Sequence, residues 1–138
     1  MGNRHKGRIF ALQLLYALDF NDSPQDQTIK LFWEGIHVTG EVKEFADLLV
    51  AGMLSQQEKI DGILEKYSEN WSLDRMAGVD RNILRFAVYE IMHMPDIPPN
   101  VTINEAVEIG KKFGTEDSGA FINGILDRIA KDFQEKIS

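Results

Sequence analysis

Apolar residues recur every three or four positions along most of this 138-residue sequence, and no segment alternates convincingly between apolar and polar residues. The pattern is clearest from Val101 to Phe133, where the polar run Gly114–Ser118 interrupts it. A spacing of three to four residues places side chains on one face of an α-helix, whereas a half-buried strand needs a period of two. The sequence therefore predicts an all-α protein, a compact bundle of about six or seven helices.

The interruption at Gly114–Ser118 predicts a turn between two helices. Gly114 stands where many helices end with a residue in the left-handed conformation, which glycine adopts without steric cost. Residues 115–118 include hydroxyl and carboxyl groups that suit the start of the next helix.

Phe121 lies at the edge of the apolar stripe of that next helix, because successive residues turn by about 100°. Lys111 and Lys112 end the preceding helix. An aromatic ring beside two cations is a candidate binding platform, and packing of Phe121 against another helix is the alternative interpretation.

The basic residues are distributed unevenly along an acidic chain of net charge −7. Residues 1–8 contain Arg4, His5, Lys6 and Arg8 and no acidic residue, so 12 of the 15 lysines and arginines remain to balance all 22 acids. Phosphate attraction depends on local potential, which salt screens over about 8–10 Å. A short basic arm can therefore bind nucleic acid on an acidic protein, although a merely solubilising terminus is the alternative.

The first predicted helix, residues 4–20, is apolar on two sides. Tyr16 lies on the second side together with His5 and Ile9. Cations interleaved with an aromatic ring suit single-stranded RNA, since the cations follow the phosphates while the ring stacks on a base. The alternatives are a core tyrosine with its hydroxyl at the surface, or an apolar face that contacts a protein partner.

A later segment, residues 79–91, predicts a central and well-buried helix because its apolar arc is unusually wide. Asp80, Arg81 and Arg85 are expected on the polar side of this helix.

Composition and motifs exclude several classes of protein. The chain has no cysteine, which excludes disulfides and thiolate zinc sites and favours a reducing compartment. No apolar run approaches the roughly 20 residues that span a bilayer, and no signal-peptide pattern is present, so we expect a cytoplasmic protein. His5, His37 and His93 lack metal-binding spacing, and no glycine-rich phosphate loop occurs. We expect no metal, no cofactor and no enzymatic activity, and a single domain over residues 1–138.

Three blocks of sequence, the last of them in several pieces, together resemble one known family, the bacterial NusB transcription antitermination factors, over essentially the whole chain. They are the basic arm with Ala11–Tyr16, the segment Asp80–Ile91, and Ile103–Glu108 with Phe113–Ser118 and Phe121–Asp127. The resemblance implies two packed helical sub-bundles and binding of boxA RNA together with NusE. NusA, NusG and RNA polymerase are the implied indirect partners, and the implied role is to suppress premature termination in ribosomal RNA operons.

The resemblance also implies which residues carry these roles. The implied RNA-binding residues are the arm (Arg4, His5, Lys6, Arg8), Tyr16, Asp117 and Phe121. Asp80 matches the acid that faces NusE, with Arg75 and Arg81 as weaker candidates. The arm departs from the family, whose members often have several consecutive arginines, so we expect a stronger dependence on NusE. The alternative function is a helical protein–protein adaptor with little RNA contact that self-associates as a homodimer when unbound.

Overall fold

The computed structural model describes residues 2–69 and 72–137, the side chains of 135–137 excepted. These residues form seven α-helices and no strand, which confirms the all-α prediction. The helices are α1 (Asn3–Asp19), α2 (Gln25–Trp33), α3 (Gly40–Ser55), α4 (Gln57–Tyr67), α5 (Gly78–His93), α6 (Pro99–Phe113) and α7 (Ser118–Ile137). A 3₁₀ turn, Leu73–Arg75, precedes α5.

The helix α5 occupies the centre of the bundle. It packs against five other helices, α1, α3, α4, α6 and α7. Because α1 packs mainly on α3, and α6 mainly on α7, the chain forms two sub-bundles that share α5. Residues 83–84 and 86–88 of α5 are fully buried, as its wide apolar arc predicts.

Gly114 follows α6 without adopting the left-handed conformation, so that prediction was wrong. Its φ and ψ are −99° and −151°, an extended conformation open to any residue. Glycine is needed here because of a close approach. A β-carbon at this position would lie 2.3 Å from the Ser118 hydroxyl oxygen and 2.8 Å from the Gly110 carbonyl oxygen. The missing side chain thus lets α7 begin directly beside the end of α6.

Arg85 is buried within the bundle, which contradicts the prediction that it lies on the polar side of α5. Its Nε donates to Asp61 of α4 at 2.8 Å, and its Nη1 lies 3.6 Å from the Asp19 carboxylate of α1. Burial of an arginine is tolerated where carboxylates neutralise and accept hydrogen bonds from the guanidinium. Arg85 therefore joins three helices through charge, a role that helical periodicity does not show.

We expect Gly114→Ala to lower the free energy of unfolding by about 1–3 kcal/mol, because the new methyl group overlaps backbone and side-chain atoms. Gly124→Ala in α7 is the matched control. A β-carbon there meets no atom within 4 Å, so alanine should stabilise the helix by about 0.5–1 kcal/mol. Urea titration followed by circular dichroism measures both values, and equal effects of the two substitutions would contradict the close-approach explanation.

Candidate nucleic-acid interface

Arg8 forms a buried ionic cluster that joins α1 to α5 and α6. The guanidinium donates two parallel hydrogen bonds of 2.8 Å to the two carboxylate oxygens of Glu90. Its third nitrogen donates to Glu105 Oε1 at 3.0 Å, and Thr102 Oγ1 donates to Glu90 at 3.0 Å. The bidentate geometry is the strong form of an arginine–carboxylate pair.

Burial by itself lowers the pKa of Arg8, but the hydrogen bonds and charges of Glu90 and Glu105 outweigh it and raise the pKa above its usual value. The group is therefore permanently charged. With only 2% of its surface exposed, Arg8 cannot also hold RNA phosphates, and its prediction as an RNA-binding residue is corrected. Arg8 instead fixes the helix that carries the rest of the arm.

The other three residues of the arm point in different directions from α1. Arg4 pairs with Asp96 at 3.2 Å and lies over the Phe45 ring, while both charged groups remain more than half exposed. Lys6 is exposed and lines a depression beside the loop between α2 and α3. His5 faces α6, where its Nδ1 lies 3.1 Å from Glu105. Only His5 is on the side of α1 that carries Tyr16, since 11 residues return the helix to within about 20° of the same direction.

Tyr16 and Phe121 border the same short segment, residues 75–80. The Tyr16 ring is 41% exposed and packs over Gly78, where a β-carbon would lie 2.9 Å from the ring. Phe121 is partly buried against the core and faces a cavity of about 300 Å³. The remaining residues that line this cavity are Arg75, Met76, Ala77, Asp80 and Asp117. Two predicted RNA-facing rings from distant helices thus border the same short segment.

Lys111, Lys112 and Asp117 surround the turn between α6 and α7 and are all exposed. The Lys111 stem lies over Gly119, because a β-carbon there would be 3.0 Å from two of its carbons. The Asp117 backbone N–H donates to Thr115 Oγ1, which holds the turn. The end of α6 and the turn therefore carry two cations, Lys111 and Lys112, and two acids, Glu116 and Asp117, of which Asp117 lines the same cavity as Phe121.

The three residues predicted to face a protein partner differ in how exposed their side chains are and in whether those side chains already have hydrogen-bond partners. Arg75 is exposed, and Asp80 is buried in the first turn of α5 with its Oδ1 lacking a hydrogen-bond partner among the described residues. The helix dipole offsets the Asp80 charge there. Arg81 is occupied, because it donates to the Leu73 carbonyl at 3.2 Å and to Asp19 at 3.1 Å.

The sequence did not single out Phe20 as a site residue. Its side chain is 74% exposed, and the centroid of its ring lies 4.9 Å from the centroid of the Tyr16 ring. The sequence placed both aromatics on one side of α1, and that is the signal from which the pair could have been found. No helix in the described part of the chain is long and apolar enough to cross a membrane.

Comparisons with known proteins match this architecture. Residues 5–131 match the sequence model of the NusB family. The chain belongs to the NusB family. The transcription antitermination protein NusB of Thermodesulfovibrio yellowstonii is 46% identical, over 94% of this chain and 92% of that protein.

Solved NusB structures share the fold. T. maritima NusB superposes with a TM-score of 0.82 at 39% identity, over 93% of this chain and 90% of that one. A crystal structure of the antitermination factors NusB and NusE with double-stranded RNA contains a chain with a TM-score of 0.84 at 31% identity. That match covers 96% of this chain and 98% of the other.

We expect Arg8→Gln to lower the free energy of unfolding by about 3–5 kcal/mol, because it leaves the buried Glu90 carboxylate without its cation. Lys6→Gln, two residues away and exposed, should change stability by less than about 0.5 kcal/mol. Guanidinium denaturation measures both values. A small effect of Arg8→Gln would show that the ionic cluster does not hold α1 in place.

Proposed function

We propose that this protein is a transcription antitermination factor that binds single-stranded, boxA-type RNA together with NusE, in the cytoplasm and without catalytic activity. It acts over residues 1–138 as one domain. NusA, NusG and RNA polymerase are indirect partners, and ribosomal RNA operons are the site of action. The single observation that carries this proposal is that Tyr16 and Phe121 border the same short segment, residues 75–80.

The RNA runs from the arm to the turn between α6 and α7. Arg4 and Lys6 attract phosphates at the arm, and Lys111 and Lys112 do so near Phe121. Exposed or partly exposed rings offer faces on which unpaired bases stack, a contact worth about 1–3 kcal/mol per base. The acids nearby, Glu105, Glu108 and Asp117, limit the unaided affinity and favour binding together with a partner.

NusE docks at the cavity beside Asp80. The cavity is lined by two acids, Asp80 and Asp117, together with Arg75 and three apolar residues. A cationic side chain from the partner that enters this cavity gains a charged hydrogen-bond acceptor in a partly water-excluded place. Because Phe121 and Asp117 line the same cavity, RNA and NusE occupy adjoining surfaces.

One observation favours the alternative of an adaptor that self-associates. Phe20 and Tyr16 form an exposed aromatic pair, and such patches commonly mark protein interfaces. A homodimer through this pair would cover Tyr16. Light scattering with and without RNA separates the two functions, since RNA must dissociate a dimer that buries the ring.

Phe121→Ala should weaken binding of boxA RNA in the presence of NusE by about 1–3 kcal/mol, because a base loses its stacking partner. Phe133→Ala is the matched control on the same helix. Phe133 is also partly buried against the core but lies about 18 Å further along α7. Fluorescence anisotropy with labelled RNA measures affinity, and thermal unfolding measures stability. Equal losses of affinity in both variants would contradict stacking and show that Phe121 acts only by packing against the core.

Asp80→Asn should weaken NusE binding by about 1.5–3 kcal/mol, the usual value of a hydrogen bond to a charged group. Asp74→Asn, an exposed acid in the adjacent 3₁₀ turn, is the control and should leave the affinity unchanged. Calorimetric titration of NusE without RNA measures both. Unchanged affinity in Asp80→Asn would place the partner elsewhere on the molecule.

A further inference from the structure

Three potential metal ligands meet where the arm touches α6. His5 Nδ1 lies 3.1 Å from Glu105 Oε1 and 3.2 Å from Oε2. Glu108 is one helical turn beyond Glu105, and one ligand atom from each of the three residues lies within 4.8 Å of the others. Histidine spacing in the sequence predicted no metal site, because the acidic ligands come from a helix 100 residues away.

We propose that His5, Glu105 and Glu108 form a binding site for a divalent transition-metal ion, of which Zn²⁺ is the representative. Bonds of about 2.0–2.1 Å to nitrogen and oxygen place tetrahedral ligand atoms about 3.3 Å apart. His5 and Glu105 already have this separation. Glu108 is exposed, so rotation of its side chain brings the third carboxylate to the ion without movement of the backbone.

Arg8 orients the Glu105 carboxylate for metal binding. Its Nη1 donates to Oε1 at 3.0 Å, whereas Oε2 has only His5 as a hydrogen-bond partner among the described residues. A ligating carboxylate is commonly oriented by a hydrogen bond to its second oxygen. Arg8 thus directs Oε2 toward the ion.

The local charge balance favours a cation at this position. Glu90 and Glu105 share the single guanidinium of Arg8, and Glu108 has no ion pair among the described residues. Three carboxylates therefore face one permanent positive charge, which Glu90 engages with two of its three bonds. A divalent ion corrects this deficit directly.

The ligand set selects the class of ion. Imidazole nitrogen with carboxylate oxygen suits Zn²⁺, Co²⁺, Ni²⁺ or Mn²⁺, whereas Mg²⁺ and Ca²⁺ prefer oxygen ligands alone. Three protein ligands leave a fourth tetrahedral position to water. That position can accept a phosphate oxygen in exchange for water.

The bound ion would strengthen RNA binding, a consequence that rests on the proposed function. The site lies on the Tyr16 side of α1, about 16 Å along the helix axis from that ring. An ion here holds the basic arm against α6 and neutralises the negative local potential that would repel phosphates. The metal site itself does not depend on whether RNA binds.

Metal binding is tested first, without RNA, on untagged protein. Zn²⁺ is titrated by calorimetry, and Co²⁺ is titrated by its visible absorption, which reports a tetrahedral site. We expect one ion per chain. His5→Arg replaces a ligand with a permanent cation, and Glu108→Gln removes another ligand, so each should weaken binding roughly tenfold or more. His93→Gln and Glu58→Gln, both exposed and outside the cluster, are the matched controls.

Absence of binding, or equal binding by the wild type and His5→Arg, overturns the metal site. Greater sensitivity to His93→Gln than to His5→Arg overturns it as well, because it places the ion elsewhere. Circular dichroism confirms that each variant is folded before titration.

The effect on RNA is then measured with boxA RNA and NusE, with Zn²⁺ or with chelator. We expect Zn²⁺ to raise RNA affinity for the wild type and not for His5→Arg. If the ion binds through these ligands while RNA affinity stays the same, the coupling to RNA is overturned and the metal site stands. If RNA does not bind under either condition, the proposed function fails independently of the metal site.

Discussion

The pairing of Arg8 with Glu90 and Glu105 is the interaction on which the candidate surface depends. It joins α1 to α5 and α6 through a charge that burial cannot remove, since the two carboxylates hold the guanidinium ionised. A buried pair of this kind adds little net stability compared with apolar packing, but it tolerates no other register. Because α1 is fixed at this end and continues as a regular helix, Tyr16 further along it lies over Gly78.

An acidic protein can attract RNA only where its cations are concentrated and its acids are neutralised. The buried cluster pairs one arm residue with two acids, so the arm carries less free positive charge than its sequence suggests. Arg4 and Lys6 remain at the surface of the arm. A cationic partner or a bound ion can supply further positive charge.

Helical periodicity was sufficient to predict the fold class, the buried face of α7 and the edge position of Phe121. It failed for charged residues. Arg8 and Arg85 were both expected at the surface, because their positions along one helix say nothing about acids brought by others. The predicted reason for a glycine at position 114 was wrong for a similar cause. The atoms that a β-carbon there would overlap belong partly to the next helix, which local sequence does not show.

The sequence by itself determined that the chain forms helices, which faces of them are apolar and where the cations are concentrated, because these properties depend on neighbours within a few residues. Only the tertiary structure decided which cations are free. Glu90 and Glu105 reach Arg8 across some 80 to 100 residues of chain, and Tyr16 and Phe121 both border residues 75–80. These contacts depend on how the helices pack, and packing brings together positions that no local sequence pattern connects.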